Sequence, residues 1–169
     1  MLGKIIKVRK YKKMIKASAT SMLNDFIQIA DDTASHFEKD SKIKGCEKLR
    51  LDYEPILLIF WLFLRSGLFP EAIHKLLLDE VYNQYYEYMR KIGCDSDMIR
   101  VVNHSINLRN KKYNEVFGED NDYSRVATQF VRFIYEGLEI EPNLEALKIP
   151  MYISEKVVPV FETYRDVIK

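Results

Sequence analysis

Residues 56–64 read ILLIFWLFL, an unbroken apolar run that decides how this chain folds. Acidic residues precede the run at Asp52 and Glu54, and Arg65 follows it directly. A helix that spans a membrane needs about 20 apolar residues, roughly twice the length of this run. We therefore predict a short helix that is buried on nearly all sides and lies at the centre of a globular core, and we expect no membrane partner.

Helical periodicity continues on both sides of this run. Apolar residues recur at spacings of three and four, and single glycines or prolines separate the periodic segments. The pattern predicts an all-α, single-domain bundle of about six helices around an apolar central helix at about residues 56–64. The expected helices cover residues 18–39, 53–66, 70–93, 97–117, 123–138 and 156–168.

The residues at the helix ends support these boundaries. Pro159 is expected to delay the start of the last helix, because proline lacks the N–H that a helix interior needs. Residues 4–11, KIIKVRKY, are the one segment that could form a strand, although a lone strand would have no partner. The N-cap candidates are Asp52, Asp95 or Ser96, and Asp122, and the glycines that end helices are Gly93 and Gly118. On the third helix we expect a buried face of Ile73, Leu76, Leu77, Val81, Tyr85, Tyr88 and Ile92.

The charges are concentrated at the amino terminus. The 169 residues carry a formal net charge of +1, but residues 1–16 hold seven basic residues and no acid, so residues 17–169 have a net charge of −6. We predict a basic N-terminal arm, residues 1–16, followed by a single helical domain, residues 17–169. The arm could bind nucleic acid or anionic lipid, pack on its own acidic domain, or stay solvated. Its basic residues are Lys4, Lys7, Arg9, Lys10, Lys12, Lys13 and Lys16.

The two cysteines and the absence of several motifs exclude some classes of protein function. Cys46 and Cys94 form no CxxC pair, and the first residues lack the apolar core of a signal peptide, so we expect free thiols in the cytoplasm. Phosphate-binding glycine loops and the GxSxG motif of hydrolases are absent from the sequence. The one Glu-x-x-His pair, Glu71 and His74, falls short of a di-iron site, which needs two. The sequence therefore predicts no catalytic residue, no metal and no cofactor.

The fourth helix carries four asparagines on one stripe. They are spaced by four, three and four residues, which places them within about 60° of arc at the border of the buried face. Asparagine is a poor helix former, so the stripe needs a compensating role. The amides could be solvated, could bridge to another helix or subunit, or could bind a polar ligand. The stripe consists of Asn103, Asn107, Asn110 and Asn114.

Residues 109–114, RNKKYN, give this helix a family resemblance. They resemble the Arg-Asn-x-x-x-His signature of the HEPN nucleases, all-α proteins that are often dimeric, with Arg109 matched and Asn114 in the histidine position. Because asparagine cannot act as an acid or a base near neutral pH, the resemblance implies a relative that binds RNA instead of cutting it. His104 follows Arg100, but only three residues separate them. The match covers six residues of 169.

Tyrosines on the third helix form a second candidate surface. Tyr85 and Tyr88 share the expected buried face, whereas Tyr82 and Tyr86, four residues apart, form a separate stripe. Exposed tyrosine is favoured at interfaces, because it combines apolar area with a polar tip. This stripe could equally pack against another helix.

Together these features favour a protein that works by contact. We expect a non-enzymatic helical protein-interaction module, such as an adaptor, a regulator or a dimeric accessory subunit, whose partner is another protein or a second copy. The alternative is a degenerate HEPN-like protein that acts on or binds RNA through the helix at 97–117, with the basic arm as a further nucleic-acid contact.

Overall fold

The structure is a computed structural model that describes the backbone of residues 2–168 and the side chains of residues 11–168. Within that part of the chain there are six α-helices and no strand, which confirms the predicted all-α bundle. Two short 3₁₀ turns, Cys46–Lys48 and Leu144–Leu147, lie in the connections. The helices are α1 Leu2–Phe37, α2 Glu54–Arg65, α3 Glu71–Lys91, α4 Ser96–Phe117, α5 Tyr123–Ile134 and α6 Lys148–Ile168.

The predicted central helix is α2, which contacts each of the other five helices. Phe60 and Trp61 are almost completely buried, as the apolar run predicts. Phe63 packs at the same level, with its ring centroid 5.7 Å from that of Phe26 on α1 and 5.5 Å from that of Phe161 on α6. Within residues 2–168, no helix combines the length and the hydrophobicity that a membrane span requires.

Helix α1 begins at Leu2, far earlier than the predicted start at residue 18. It is helical through residues 4–11, so the strand considered for that segment is wrong. Ile15 and Ala19 are buried and continue the spacing of Met22 and Phe26 towards the amino terminus. Lysines are good helix formers, so the basic segment extends the helix once its apolar residues find a surface. The basic residues at 1–16 thus belong to the same continuous helix as the start of the domain.

The last two helices also differ from the predicted boundaries. Helix α6 starts at Lys148, eight residues earlier than expected, and includes Pro159 in its interior. A proline inside a helix costs about 3 kcal/mol, but the regularly spaced apolar side chains of α6 pack into the core and outweigh that cost. Helix α5 ends at Ile134, four residues before the expected end.

The caps of α4 and α5 are those that the sequence predicts. The Asp95 carboxylate accepts hydrogen bonds from the backbone N–H groups of Asp97 and Met98, and the Asp122 carboxylate accepts one from Ser124. Gly93 follows α3 with a φ of +96°, a conformation that favours glycine. Asp52 was expected to cap α2, but Tyr53 holds that position without a side-chain cap.

Helix α3 buries less of its surface than predicted. Leu77, Val81 and Tyr85 are buried, whereas Leu76 and Ile92 are exposed. The reason is that α3 lies at the edge of the bundle, where it packs mainly on α1 and only lightly on α2. The side of α3 that faces α4 is therefore partly open.

Candidate functional site

The predicted asparagine and tyrosine surfaces meet in a groove between α3 and α4. Helix α4 packs on α2, whereas α3 packs mainly on α1, and the two helices make little backbone contact with each other. The gap is a cleft of about 500 Å³ that continues into a smaller one of about 290 Å³. We call this combined cleft the α3–α4 groove. Its larger part is lined by Leu64, Leu78, Asp79, Tyr82, Asn83, Tyr86, Asn103, Ile106, Asn107 and Asn110, and its smaller part adds Arg90, Ser96, Ile99 and Arg100.

The two helices run antiparallel along the groove. Tyr86 is hydrogen-bonded to Asn103, whereas Tyr82, one turn earlier on α3, interacts with Asn110, two turns later on α4. The short connection at residues 92–95 enforces this arrangement. Residues four apart on each helix therefore fall on facing walls, which is why two stripes that are separate in sequence share one site.

Hydrogen bonds hold two of the four stripe asparagines. The Tyr86 hydroxyl donates to Asn103 Oδ1 at 2.7 Å, and Trp61 Nε1 donates to Asn114 Oδ1 at 3.0 Å. Asn107 is exposed in the middle of the groove. The stripe therefore combines inter-helix bridges at its ends with an amide that is open to solvent at its centre.

The floor of the groove contains a buried tyrosine hydroxyl and a buried amide oxygen. Tyr82 Oη and Asn110 Oδ1 are each shielded from solvent, and neither makes a hydrogen bond of good geometry. Burial raises the pKa of Tyr82, and its interaction with the Asn110 side chain offsets part of that rise. The two side chains therefore interact with each other beneath the surface, and the amides that remain open to a ligand are those of Asn103 and Asn107.

The groove offers neutral hydrogen-bonding groups. Burial also raises the pKa of Tyr86, so both tyrosine hydroxyls keep their protons at neutral pH. Asparagine amides donate and accept but do not titrate. Such a surface can recognise polar groups by hydrogen bonding, and its tyrosines are poorly suited to act as bases.

Arg109 lies outside this groove and is buried against α2. Its guanidinium Nε and Nη2 atoms donate to the carboxylate of Glu54, with the shortest contact at 2.6 Å, and Nη2 also reaches Glu136 at 3.2 Å. The guanidinium carbon lies 3.7 Å from the centroid of the Phe133 ring. The segment that resembles the HEPN signature thus has its arginine inside the protein. Of the other candidates on α4, His104 is exposed outside the groove.

The basic residues of α1 border a different cleft. Lys12, Lys13 and Lys16 are exposed, and Lys12 and Lys16 line a mostly apolar cleft of about 740 Å³ with Asp79 and Glu80 of α3. The side chains of Lys4, Lys7, Arg9 and Lys10 lie outside the residues whose side chains are described.

The histidines lie in separate aromatic clusters. His36 stacks on Tyr152 with the ring centroids 4.9 Å apart, and His74 stacks on Phe63 at 5.1 Å. Among the described residues, no three histidine, cysteine, aspartate or glutamate side chains come together as metal ligands would.

The sequence patterns did not reveal two parts of this region. Asp79 and Asn83 line the groove from α3, but they lie outside the tyrosine stripe that was singled out. Glu54 is fully buried, although the sequence indicated only that it precedes the apolar run. One signal was available, because an acid two residues before nine apolar residues must either reach solvent or be buried with a cation.

Comparisons with known proteins give no relative for this chain: no family model matches it, and no curated protein or solved structure matches it significantly.

Proposed function

We propose that this chain is a non-enzymatic protein-interaction module that binds an extended segment of a partner protein in the α3–α4 groove. The observation that carries the proposal is the polar lining of the α3–α4 groove, in which the amides of Asn103 and Asn107 are exposed. Exposed amides can both donate and accept hydrogen bonds with a polar ligand. The volume of the groove lies within the range of ordinary ligand sites.

The chemistry of the asparagines favours a peptide as the occupant. Each amide has donors and an acceptor, and each residue of an extended peptide presents an N–H and a C=O. Asn103 and Asn110 are seven residues apart, which is about 10.5 Å along a helix. Three extended residues cover about 10 Å, so the two amides can bond to backbone groups that are three residues apart on the peptide. Tyr82 and Tyr86 add apolar area with hydroxyl tips.

The buried position of Arg109 weighs against RNA binding through the HEPN-like segment. Its charge is paired with Glu54 and Glu136, so it is not available to a phosphate in the groove. The free cysteines, Cys46 and Cys94, fit a reducing compartment, and we place the proposed activity in the cytoplasm.

A peptide-display experiment tests this proposal. Random peptides displayed on phage would be selected on the immobilised protein, and the selected sequences would then be synthesised. We expect micromolar binding that the double variant N103A/N107A weakens at least about tenfold, which corresponds to the loss of one or two hydrogen bonds. Asn24 is an exposed asparagine on α1, so N24A is the matched control. Peptides that bind both variants equally, or a selection that yields no peptide, would exclude the groove as the docking site.

A nucleic-acid role for the basic residues is the second candidate. Its support is that α1 is helical through residue 16, which places Lys12 and Lys16 on one exposed face one turn apart. Cations lined up along a helix can bind the phosphates of a nucleic-acid backbone. Such contacts add affinity that does not depend on the base sequence. A second copy of the chain is another candidate protein partner. A separate face of α4 supports that candidate.

A further inference from the structure

Three large apolar side chains are exposed along the outer face of α4. Met98, Val101 and Leu108 are 56%, 65% and 47% exposed. Single exposed apolar residues are ordinary on protein surfaces, but these three lie within about 80° of arc on one helix. With Ser105 they have spacings of three, four and three, which is the spacing of a seam between two packed helices. The centre of the stripe lies about 130° around the helix axis from Asn107, so the stripe is separate from the α3–α4 groove.

We propose that this stripe packs against α4 of a second copy of the chain, antiparallel about a two-fold axis. In the register that the spacing sets, Met98 of one copy lies against Leu108 of the second copy, and Val101 lies against Ser105. A two-fold interface is self-complementary, so each of these contacts occurs twice. A parallel arrangement would instead place Lys112 against Lys112, which repel each other.

The charges beside the stripe match the same antiparallel register. Asp97 of one copy falls beside Lys111 of the second copy. The two-fold axis repeats this contact, so Lys111 of the first copy falls beside Asp97 of the second. Both residues are exposed, and Asp97 already holds Arg100 at 3.2 Å on its own helix. His104 lies beside its own symmetry mate at the axis. The apolar and the charged residues therefore indicate the same partner, a second copy of the chain, and the same antiparallel orientation.

The seam is short, so the dimer is a weak one. From Met98 to Leu108 it covers about 15 Å of helix, well below the area of an obligate interface. We expect a dissociation constant on the order of 10–100 µM.

Sedimentation of the full-length protein tests the existence of the dimer. The wild type should shift from monomer towards dimer as its concentration rises through that range. Substitution V101E should raise the dissociation constant at least about tenfold, because it buries two carboxylates at the seam. Val167 is similarly exposed on α6, so V167E is the matched control and should dimerise like the wild type. A wild type that stays monomeric at about 0.5 mM, or a V101E variant that dimerises normally, overturns the proposal.

A charge exchange and a cross-link test the register. D97K should weaken the dimer, and D97K/K111D should restore it, because the exchange rebuilds both ion pairs. In a C94S background, H104C should form a disulfide-linked dimer on mild oxidation, since the two copies meet at this residue. V167C, at an exposed position on α6, is the control and should remain monomeric under the same treatment. Failure of the exchange to restore the dimer, or equal cross-linking of H104C and V167C, would contradict the antiparallel register.

Discussion

Arg109 and Glu54 form a buried ion pair that fastens α4 to the central helix α2. Arg109 Nη2 lies 2.6 Å from Glu54 Oε1, and both side chains are almost free of solvent contact. Burial by itself lowers the pKa of Arg109, but the hydrogen bonds and the charge of Glu54 outweigh it, so the pKa lies above its usual value. The guanidinium is therefore charged in the folded protein at any ordinary pH, and its role is structural.

Removing one partner of this pair should strongly destabilise the fold. R109A leaves the Glu54 carboxylate buried without a cation, and we expect it to lower the free energy of unfolding by about 3–5 kcal/mol. E54L/R109M should recover most of that loss, because it leaves no unpaired charge in the core. Urea denaturation monitored by circular dichroism measures both. R100A, at an exposed arginine on the same helix, is the control and should change stability by less than about 0.5 kcal/mol.

The stripe asparagines should respond to alanine in opposite directions. N114A removes the acceptor of the buried Trp61 N–H, and we expect a loss of about 1–3 kcal/mol in unfolding free energy. N107A removes an exposed amide, and alanine is the better helix former, so a gain of a few tenths of a kcal/mol, roughly 0.5, is expected. Trp61 is the sole tryptophan, so its fluorescence reports unfolding in both variants. Equal destabilisation by the two would show that Asn107 has a structural bond.

The fold class could be predicted because it depends on local signals. The apolar run at residues 56–64 is too short to span a membrane and too apolar to lie at a surface, and the caps at Asp95 and Asp122 mark helix starts. The boundaries of α1 and α6 were harder to predict. Lysines and Pro159 indicate helix ends only weakly where tertiary packing determines the boundary. Tertiary contacts override local preferences of a few kcal/mol at such positions.

The candidate site could be predicted only in parts. Tyr86 and Asn103 were each singled out by spacing on their own helix, but the bond between them depends on how α3 and α4 lie on α2. The ion pair of Arg109 and Glu54 joins residues 55 positions apart, and a single sequence does not indicate which cation would pair with Glu54. The burial of Tyr82 Oη likewise depends on how the helices pack around it.

The exposed lysines of α1 should dominate any binding to polyanions. Replacing three of them, in K12Q/K13Q/K16Q, removes charges from one short stretch of the helix while keeping long polar side chains. For single-stranded RNA, we expect the plot of log affinity against log salt to lose a slope of about 2, because fewer counterions are released. Fluorescence anisotropy with a labelled oligonucleotide at several salt concentrations measures this slope.

A second lysine triplet provides the control for that measurement. K42Q/K44Q/K48Q removes the same net charge from exposed positions in the connection between α1 and α2. If both triple variants lose affinity and slope equally, the binding follows net charge alone, and α1 has no special role.

His74 should make the stability of the protein depend on pH. Its ring stacks on Phe63, and its Nε2 atom is buried without a partner. Burial lowers the pKa of His74 below its ordinary value of about 6.5, because the charged imidazolium would lose hydration that nothing replaces. The unfolded chain therefore binds this proton more readily than the folded one. It follows that the free energy of unfolding is highest above about pH 6.5 and falls as the pH drops below it.

Chemical denaturation between about pH 7 and pH 5 measures this dependence, in a range where most carboxylates stay ionised. H74F keeps an aromatic ring against Phe63 but cannot take up a proton, so its stability should be flatter over the same range. H104Q removes an exposed histidine and serves as the control, with the slope of the wild type. If H74F and the wild type lose stability equally on acidification, the dependence on pH arises elsewhere and the buried imidazole has no part in it.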